Sequence, residues 1–368
     1  MRVALVTEFY YPHLGGVTEH VHNFALELRR RGHEATIITS HMAGERNDPD
    51  FVWRVGTSRV IYSNGSFARV TTGWGLTRRV TDLLRERRID LVHVHDVIAP
   101  TLGLVASSAA WRLGLPVVAT SHTWFQYSLA YRFFRPLLQR RLDRVAACIA
   151  VSVPVVEAMS RYFRADWEII PNGVNVEYFH PDGRRPADAL TQSPRLLFLG
   201  RLDPRNGLEN VLAAMPQILT HYPSTRLVVV GDGPLRGHYQ RRAAALGAAV
   251  QFVGQVDGAR PRYYGDADLY LCPSTKASFG ITLLEAMACG TPMVVSDITG
   301  FRELIDGGRE AVLVARDDPS AWARAVVQLI GDPQRRATMA AAGLTKSAGF
   351  AWPRIADRVL AVYERVMR

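Results

Sequence analysis

Short β-branched runs alternate with longer stretches of helical spacing along this chain, and the whole pattern runs twice. The first series reads VALVT (3–7), a helix from about Val17 to Arg31 stopped by Gly32, and EATIITS (34–40). A basic helix (76–88), DLVHVH (90–95), a helix over Ala99–Leu113 and PVVATSH (116–122) continue it. A helix through Leu142, VAACIAVS (145–152) and a helix over Val153–Phe163 close it. Ser40 to Gly75 reads as irregular, with short strands near Phe51–Val55 and Arg59–Tyr62. Continuous apolar strands separated by helices specify a parallel sheet wound on both faces, with ligand loops at the C-terminal strand ends. The rhythm breaks over 168–194, a stretch rich in Pro, Gly and polar residues, which reads as a connection between domains. It restarts with RLLFLG (195–200), RLVVVG (226–231), VQFVG (250–254), DLYLC (268–272), PMVVS (292–296) and AVLV (311–314), and ends in helices at 318–330, 333–342 and 351–367.

At 368 residues the chain exceeds one ordinary core. The expected division is 1–170, 171–350 and a C-terminal helix, 351–368, returning to the first domain, with a cleft between two α/β halves. A hydrophobic content of 48% and a charged content of 21% describe a globular protein. The formal net charge is +10, and of 44 basic residues only Lys276 and Lys346 are lysines. Such an excess suits an anionic substrate, an anionic membrane surface or nucleic acid. The arginines are dispersed and no nucleic-acid motif is present, so no nucleic-acid partner is expected. Cys148, Cys272 and Cys289 sit unpaired in apolar runs and read as buried thiols in a reducing compartment. MRVALVTEFYYP lacks a signal peptide's features, and no apolar run is of membrane-spanning length. A cytoplasmic protein, peripheral to a membrane at most, is the expectation.

The stretch Pro273–Ser296, PSTKASFGITLLEAMACGTPMVVS, carries the most chemistry. Gly280 turns the chain into a helix whose apolar face is Ile281, Leu284 and Ala288 with Leu283 and Met287; Gly290 stops it. A glycine loop opening into a helix offers backbone N–H groups and the positive dipole end to an anion. Glu285, one turn inside, can accept two hydrogen bonds from a diol beside that anion. A phosphate and a ribose on one helix describe a nucleotide-sugar site; an ordinary βα-turn with a surface Glu is the plain alternative.

Six motifs in order then carry a resemblance along nearly the whole chain. They are FYYPHLGGVTEHVHNFALELRRRGHEATIIT (9–39), VVATSH (117–122), IIPNGVNVEYFHP (169–181), FLGRLDPRNGLENVL (198–212), VVVGDGP (228–234) and 273–296. The chain resembles a family 4 retaining glycosyltransferase of the GT-B fold. GGVTEHV and the His after the fourth main strand look most like the phosphatidylinositol mannosyltransferases.

The resemblance implies the site residues. Gly15 and Gly16 would let backbone approach a diphosphate, and Arg201 would neutralise the leaving group. Glu285 resembles the carboxylate that holds the nucleotide ribose, and His122 a family His near the donor sugar. The amides of Gly280, Ile281, Thr282 and Leu283 would face the diphosphate, with Gly231, Ser278 and Phe279 in the same pocket. Two positions depart from the family: Asn206 stands where a Lys is usual, and Ala277 where a Glu usually contacts the hexose. Lys276 or Arg205 is the expected replacement cation.

The implied reaction retains anomeric configuration through an oxocarbenium-like state, with the leaving phosphate oxygen accepting the acceptor's proton. No Asp-x-Asp metal motif is present (Asp257 and the Asp266/Asp268 pair do not make one), so metal independence is expected. The resemblance points to GDP-mannose as donor, with UDP-glucose or another UDP-sugar next. The acceptor would be a hydroxyl, with a phosphoinositide or other anionic lipid favoured. TWFQYSLAYRFFRPLLQRRL (123–142) mixes aromatics with Arg132, Arg135, Arg140 and Arg141 and suits either a membrane surface or a core helix with a solvated basic face. Arg69, Arg78 and Arg79 are candidate contacts for an acceptor phosphate. A GT-B epimerase, or an inactive nucleotide-binding scaffold supported by Ala277, are the competing readings.

Overall fold

A computed structural model of the chain describes residues 1–13, 15–44, 48–63, 66–96, 101–182, 193–256 and 258–368, without the side chains of 61–63 and 66–68. The chain divides into two compact units, Met1–Gly173 with Trp352–Arg368, and Val174–Ala351.

The first unit is built on eight strands: β1 (Arg2–Val6), β2 (Glu34–His41), β3 (Val52–Ser63), β4 (Ser66–Thr72), β5 (Leu91–His95), β6 (Val117–Ser121), β7 (Ala147–Ala150) and β8 (Trp167–Ile169). Their order is β4-β3-β2-β1-β5-β6-β7-β8, and every pairing is parallel except β3 with β4. All residues of β5 and β6 are buried, so both faces of the sheet centre are covered, as continuous apolar strands require. The C-terminal helix Trp352–Met367 adds Ile355, Val359 and Tyr363 to the core that holds Phe24, Leu28 and Ile37. A Cβ on Gly173 would stand 2.6 Å from the Trp352 ring, so the indole lies directly on bare backbone.

Within Ser40–Gly75 the two short strands expected near Phe51–Val55 and Arg59–Tyr62 fall in one long strand, β3, which pairs antiparallel with β4 from Thr57↔Thr72 to Ser63↔Ser66. These strands read poorly because Ser, Thr, Arg and Gly interrupt the apolar alternation. Gly56, at φ 66°, passes so close to the Thr72 carbonyl that a Cβ would lie 2.8 Å from it. Strand β8 likewise falls within the stretch read as a connection, whose residues 183–192 lie outside the described residues.

The second unit holds β9 (Arg195–Leu199), β10 (Arg226–Val230), β11 (Val250–Gly254), β12 (Leu269–Cys272), β13 (Met293–Ser296) and β14 (Ala311–Val314). The order β11-β10-β9-β12-β13-β14 is parallel throughout. Strand order reverses between β9 and β12 here and between β1 and β5 in the first unit. Loops leaving such a pair at their C-terminal ends part to opposite faces and open a crevice.

Gly207 fixes that crevice in the second unit. Its φ is 66°, and a Cβ would stand 2.0 Å from the Pro273 carbonyl oxygen, so the loop after β9 touches the loop after β12 through bare backbone. Gly207→Ala is expected to cost about 2 kcal/mol or more of stability. Denaturant unfolding of the purified variant checks this; a change within about 0.5 kcal/mol, the range of ordinary surface substitutions, would contradict it.

Candidate functional site

The loop after β9 begins at Gly200 and ends in a 3₁₀ turn, Pro204–Asn206, capped by Asp203 accepting from the Asn206 amide at 3.2 Å. Asn206 Nδ2 donates to the Arg201 carbonyl at 2.7 Å, and Ser274 Oγ lies 3.5 Å from Asn206 Oδ1. The Thr275 amide donates to the Arg205 carbonyl at 2.7 Å. Asn206 therefore serves as a loop tie where the family has a cation. The same ties bring the exposed Arg201 and Lys276 and the half-buried Arg205 to neighbouring loops of one sheet edge. Gly231, at φ 133°, leaves β10 where a Cβ would lie 2.0 Å from the Gly200 carbonyl oxygen, packing the next loop against this one.

Gly280, at φ 102°, caps the helix Ile281–Ala288, and no side chain bonds its first turn. The Leu283 amide donates to the Gly280 carbonyl at 2.9 Å, so it is not available to a diphosphate as expected. Ile281 and Thr282 amides have no intrahelical acceptor by the geometry of a helix start. Phe279 is buried against Phe350, with ring centroids 6.1 Å apart, and anchors the turn that carries Ser278.

Glu285 is buried to 1% exposure rather than lying on the surface. Its Oε1 accepts from Arg260 Nη1 at 2.7 Å and its Oε2 from the Tyr264 hydroxyl at 3.0 Å. Burial, then the Glu285 charge, hold the Tyr264 hydroxyl well above its ordinary pKa, so it remains a donor. The Arg260 guanidinium also lies over the Phe179 ring, 5.3 Å from its centroid. A carboxylate held at both oxygens has one fixed orientation. Asp268 receives the Arg195 amide at 2.7 Å, which gives it a structural task in joining β9 to β12; Asp257 lies outside the described residues.

In the first unit the C-terminal ends of β5 and β6 carry a histidine cluster. His93 and His95 share a face by strand alternation, and their rings stack at 4.5 Å. His93 is fully engaged, by Tyr363 OH at 2.6 Å and Thr120 Oγ1 at 2.7 Å. His95 Nδ1 and His122 Nε2 share a hydrogen bond of 2.9 Å. His20, one turn into the helix Gly16–Arg30, packs its ring 4.8 Å from His122 and 5.3 Å from His95 and donates from Nδ1 to Asn172 Oδ1 at 2.8 Å. Burial lowers the His20 pKa to about 4 and that of His93 to about 3. Burial first, then neighbouring imidazoles, hold His95 and His122 well below the ordinary value. Asp96, whose Oδ1 accepts the His122 amide at 2.9 Å, is pushed up to about 6 by burial.

His122 thus lies beside the helix that Gly15 and Gly16 begin, and no side chain caps that helix. Gly15 has an extended φ of 173°, and a Cβ there would meet only the His13 ring at 3.6 Å, so this position is not sterically restricted to glycine. His122 belongs to the first unit; Arg201 and Glu285 belong to the second. Among residues not singled out from sequence, His20 and His95 pack against His122, Asn172 holds His20, and Arg260 and Tyr264 orient Glu285. The i+2 spacing of His93 and His95 in a buried strand was the one available signal; the other contacts span up to 152 residues.

The buried histidines set an acid limit. Each is neutral when folded and takes a proton near pH 6.5 when unfolded, so stability is intact above about 6.5 and falls by about 1.4 kcal/mol per pH unit per ring as pH drops towards the folded values. Asp96 and Glu8, both raised by burial, oppose part of this. Denaturant midpoints are expected to drop between pH 7 and 5, and His93→Gln to remove about one proton from that slope; an unchanged slope in the variant would contradict this reading.

Residues 14–178 match the profile of Glycosyltransferase Family 4, and residues 193–332 that of Glycosyl transferases group 1. The chain is 34% identical over 373 residues to a phosphatidyl-myo-inositol mannosyltransferase of Mycolicibacterium smegmatis, covering 100% of this chain and 94% of the relative. It is 33% identical to its counterpart in Mycobacterium tuberculosis, covering 100% and 97%. Among solved structures, Anabaena HepE, in complex with UDP and glucose, superposes with a TM-score of 0.78 at 20% identity over 99% of both chains. Sucrose-phosphate synthase of Thermosynechococcus elongatus does so with a TM-score of 0.75 at 24% identity over 99% and 98%. The two parallel α/β units are those of the GT-B fold, and the chain belongs to the family 4, group 1 glycosyltransferases.

Proposed function

We propose that this glycosyltransferase moves mannose from GDP-mannose, with retention, to a hydroxyl of a phosphoinositide or similar anionic lipid at the cytoplasmic membrane face. The observation that carries the donor half is the convergence of two loops at the switch point of the second sheet: Arg201, Arg205 and Lys276 gather there beside an uncapped helix start and an oriented carboxylate. In this reading the Ile281 and Thr282 amides and the three cations take the diphosphate, and Glu285 takes the ribose diol. The cations stabilise charge on the departing phosphate, which no metal need do, and that phosphate removes the acceptor's proton. In this reading His122 and the Gly15-Gly16 helix start keep the roles the resemblance implies, near the donor sugar and at the diphosphate. Mannose and inositol lipid are favoured over UDP-glucose because the full-length relatives are phosphatidyl-myo-inositol mannosyltransferases.

The acceptor half draws support from the helix Leu129–Leu142. Of its residues only Leu142 is buried, which supports a surface role over that of a core helix. Leu129, Phe133, Phe134 and Leu137 are 70%, 80%, 50% and 55% exposed, with Arg132, Arg135 and Arg140 exposed among them. Exposed aromatics interleaved with arginines suit an anionic bilayer surface. Among the described residues no helix is long and apolar enough to cross a membrane.

Transfer from GDP-mannose to phosphatidylinositol vesicles, with the product anomer read by NMR, tests the proposal. Arg201→Ala is expected to lower kcat by about 10²–10³-fold. Lys276→Ala is expected to weaken donor binding; unchanged kinetics would remove Lys276 from the site. Turnover of UDP-glucose but not GDP-mannose would overturn the donor. No transfer with either, in a chain that binds nucleotide, would favour the scaffold reading that Ala277 supports. The double variant Phe133→Ser, Phe134→Ser is expected to lower partition onto phosphatidylserine vesicles about tenfold or more; equal partition would exclude this face.

A further inference from the structure

Three buried imidazoles in the first unit have a geometry that packing alone does not require. His20, His95 and His122 are 2%, 3% and 6% exposed, and each can present one ring nitrogen within 4.8 Å of the others'. Their ring centroids lie 4.8, 5.2 and 5.3 Å apart. Imidazoles bound tetrahedrally at 2.0–2.1 Å to one ion place their centroids about 5 Å apart. His20 Nε2 and His95 Nε2 are buried and have no hydrogen-bond partner among the described residues. Asn172 Oδ1 can only accept, so His20 keeps its proton on Nδ1 and its Nε2 carries a bare lone pair. A carboxamide holding the far nitrogen of a ring is the arrangement that orients a metal-binding histidine. His93 is excluded, because both of its nitrogens are engaged within the core, whereas an ion taking His95 and His122 together displaces the single hydrogen bond that His95 Nδ1 and His122 Nε2 share.

We propose that His20, His95 and His122 form a binding site for a divalent transition metal of the zinc class, and that a bound ion inhibits transfer by occupying His122. Three neutral nitrogen donors select Zn²⁺, Co²⁺ or Cu²⁺ over Mg²⁺ or Ca²⁺, and leave a fourth position for water. The rings need close by only about 1.5 Å, from 4.8 Å at most to the roughly 3.3 Å between nitrogens on one ion. Asp96, bonded to the His122 amide, supplies a nearby carboxylate to balance the charge, and the exposed Thr123 next to His122 marks the route in. The ion is not part of the transfer reaction. Its inhibitory effect rests on the role proposed for His122; its binding does not.

Titration of the full chain with Co²⁺ tests the site. One equivalent is expected to give the visible bands of tetrahedral, imidazole-bound cobalt, displaced by Zn²⁺, and Zn²⁺ should raise the melting temperature. His20→Gln and His95→Gln should each abolish the bands. Asn172→Ala, which leaves every ligand in place, should weaken affinity about 10–100-fold. In the unmutated chain, Zn²⁺ should shift the histidine ¹⁵N resonances of His20, His95 and His122 and leave His93 unmoved, which reads the site without relying on any variant's folding. No binding, binding retained in both Gln variants, or shifts confined to the exposed His180, His221 and His238 would overturn the site. Binding without loss of transfer would overturn the inhibition, while nucleotide binding at Arg201 and Glu285, measured separately, would be unaffected by either result.

Discussion

A carbonyl oxygen that lies where a side chain would otherwise be holds the donor-side architecture together. The Pro273 carbonyl approaches Gly207 so closely that a Cβ would be 2.0 Å away. That contact joins the loops leaving β9 and β12, the two strands between which the sheet order reverses. The loops that carry Arg201, Arg205 and Lys276 meet at this contact. Arg201 and Arg205 ride on one loop, Lys276 on the other, and the Thr275–Arg205 hydrogen bond sets the spacing between them. The parallel sheet contributes by placing all its C-terminal strand ends on one edge.

Glu285 and the histidine cluster are accommodated in opposite ways. Glu285 is buried as an ion pair, with a guanidinium on one oxygen and a tyrosine hydroxyl on the other. Removing either partner leaves a buried charge short of compensation, which is costly. The histidine cluster avoids charge altogether by keeping four rings neutral through burial, at the cost of acid sensitivity. Both devices fix the direction of a buried polar atom: the Glu285 oxygens in one unit, the His20 and His122 nitrogens in the other.

What was legible in the sequence follows from how far each signal reaches along the chain. The continuous apolar strands, such as LVHVH and MVVS, announce a buried parallel sheet locally, and the loop-to-helix turn at Gly280 is equally local. Strand β3 was legible only as two short pieces and the edge strand β4 not at all, because Ser, Thr and Arg interrupt the apolar alternation and weaken the two-residue period. Arg260 and Tyr264 escaped because their role exists only after a helix outside the Pro273–Ser296 motif packs on Glu285. Asn206 read as a missing cation; the structure gives it a different task, tying the Arg201 carbonyl to the loop. The resemblance supplied roles for Arg201, Glu285 and His122 that spacing alone could not.

Nucleotide binding to the intact chain, without added metal, bears most directly on the claim that the crevice between β9 and β12 holds a nucleoside diphosphate. GDP, UDP and ADP compared by thermal shift should single out one base, because a ligand that binds only the folded chain raises its melting temperature by mass action. The account predicts that GDP gives the largest shift and that Arg201→Ala and Glu285→Ala each lose it. No shift with any of the three, or a shift that survives both substitutions, would contradict it.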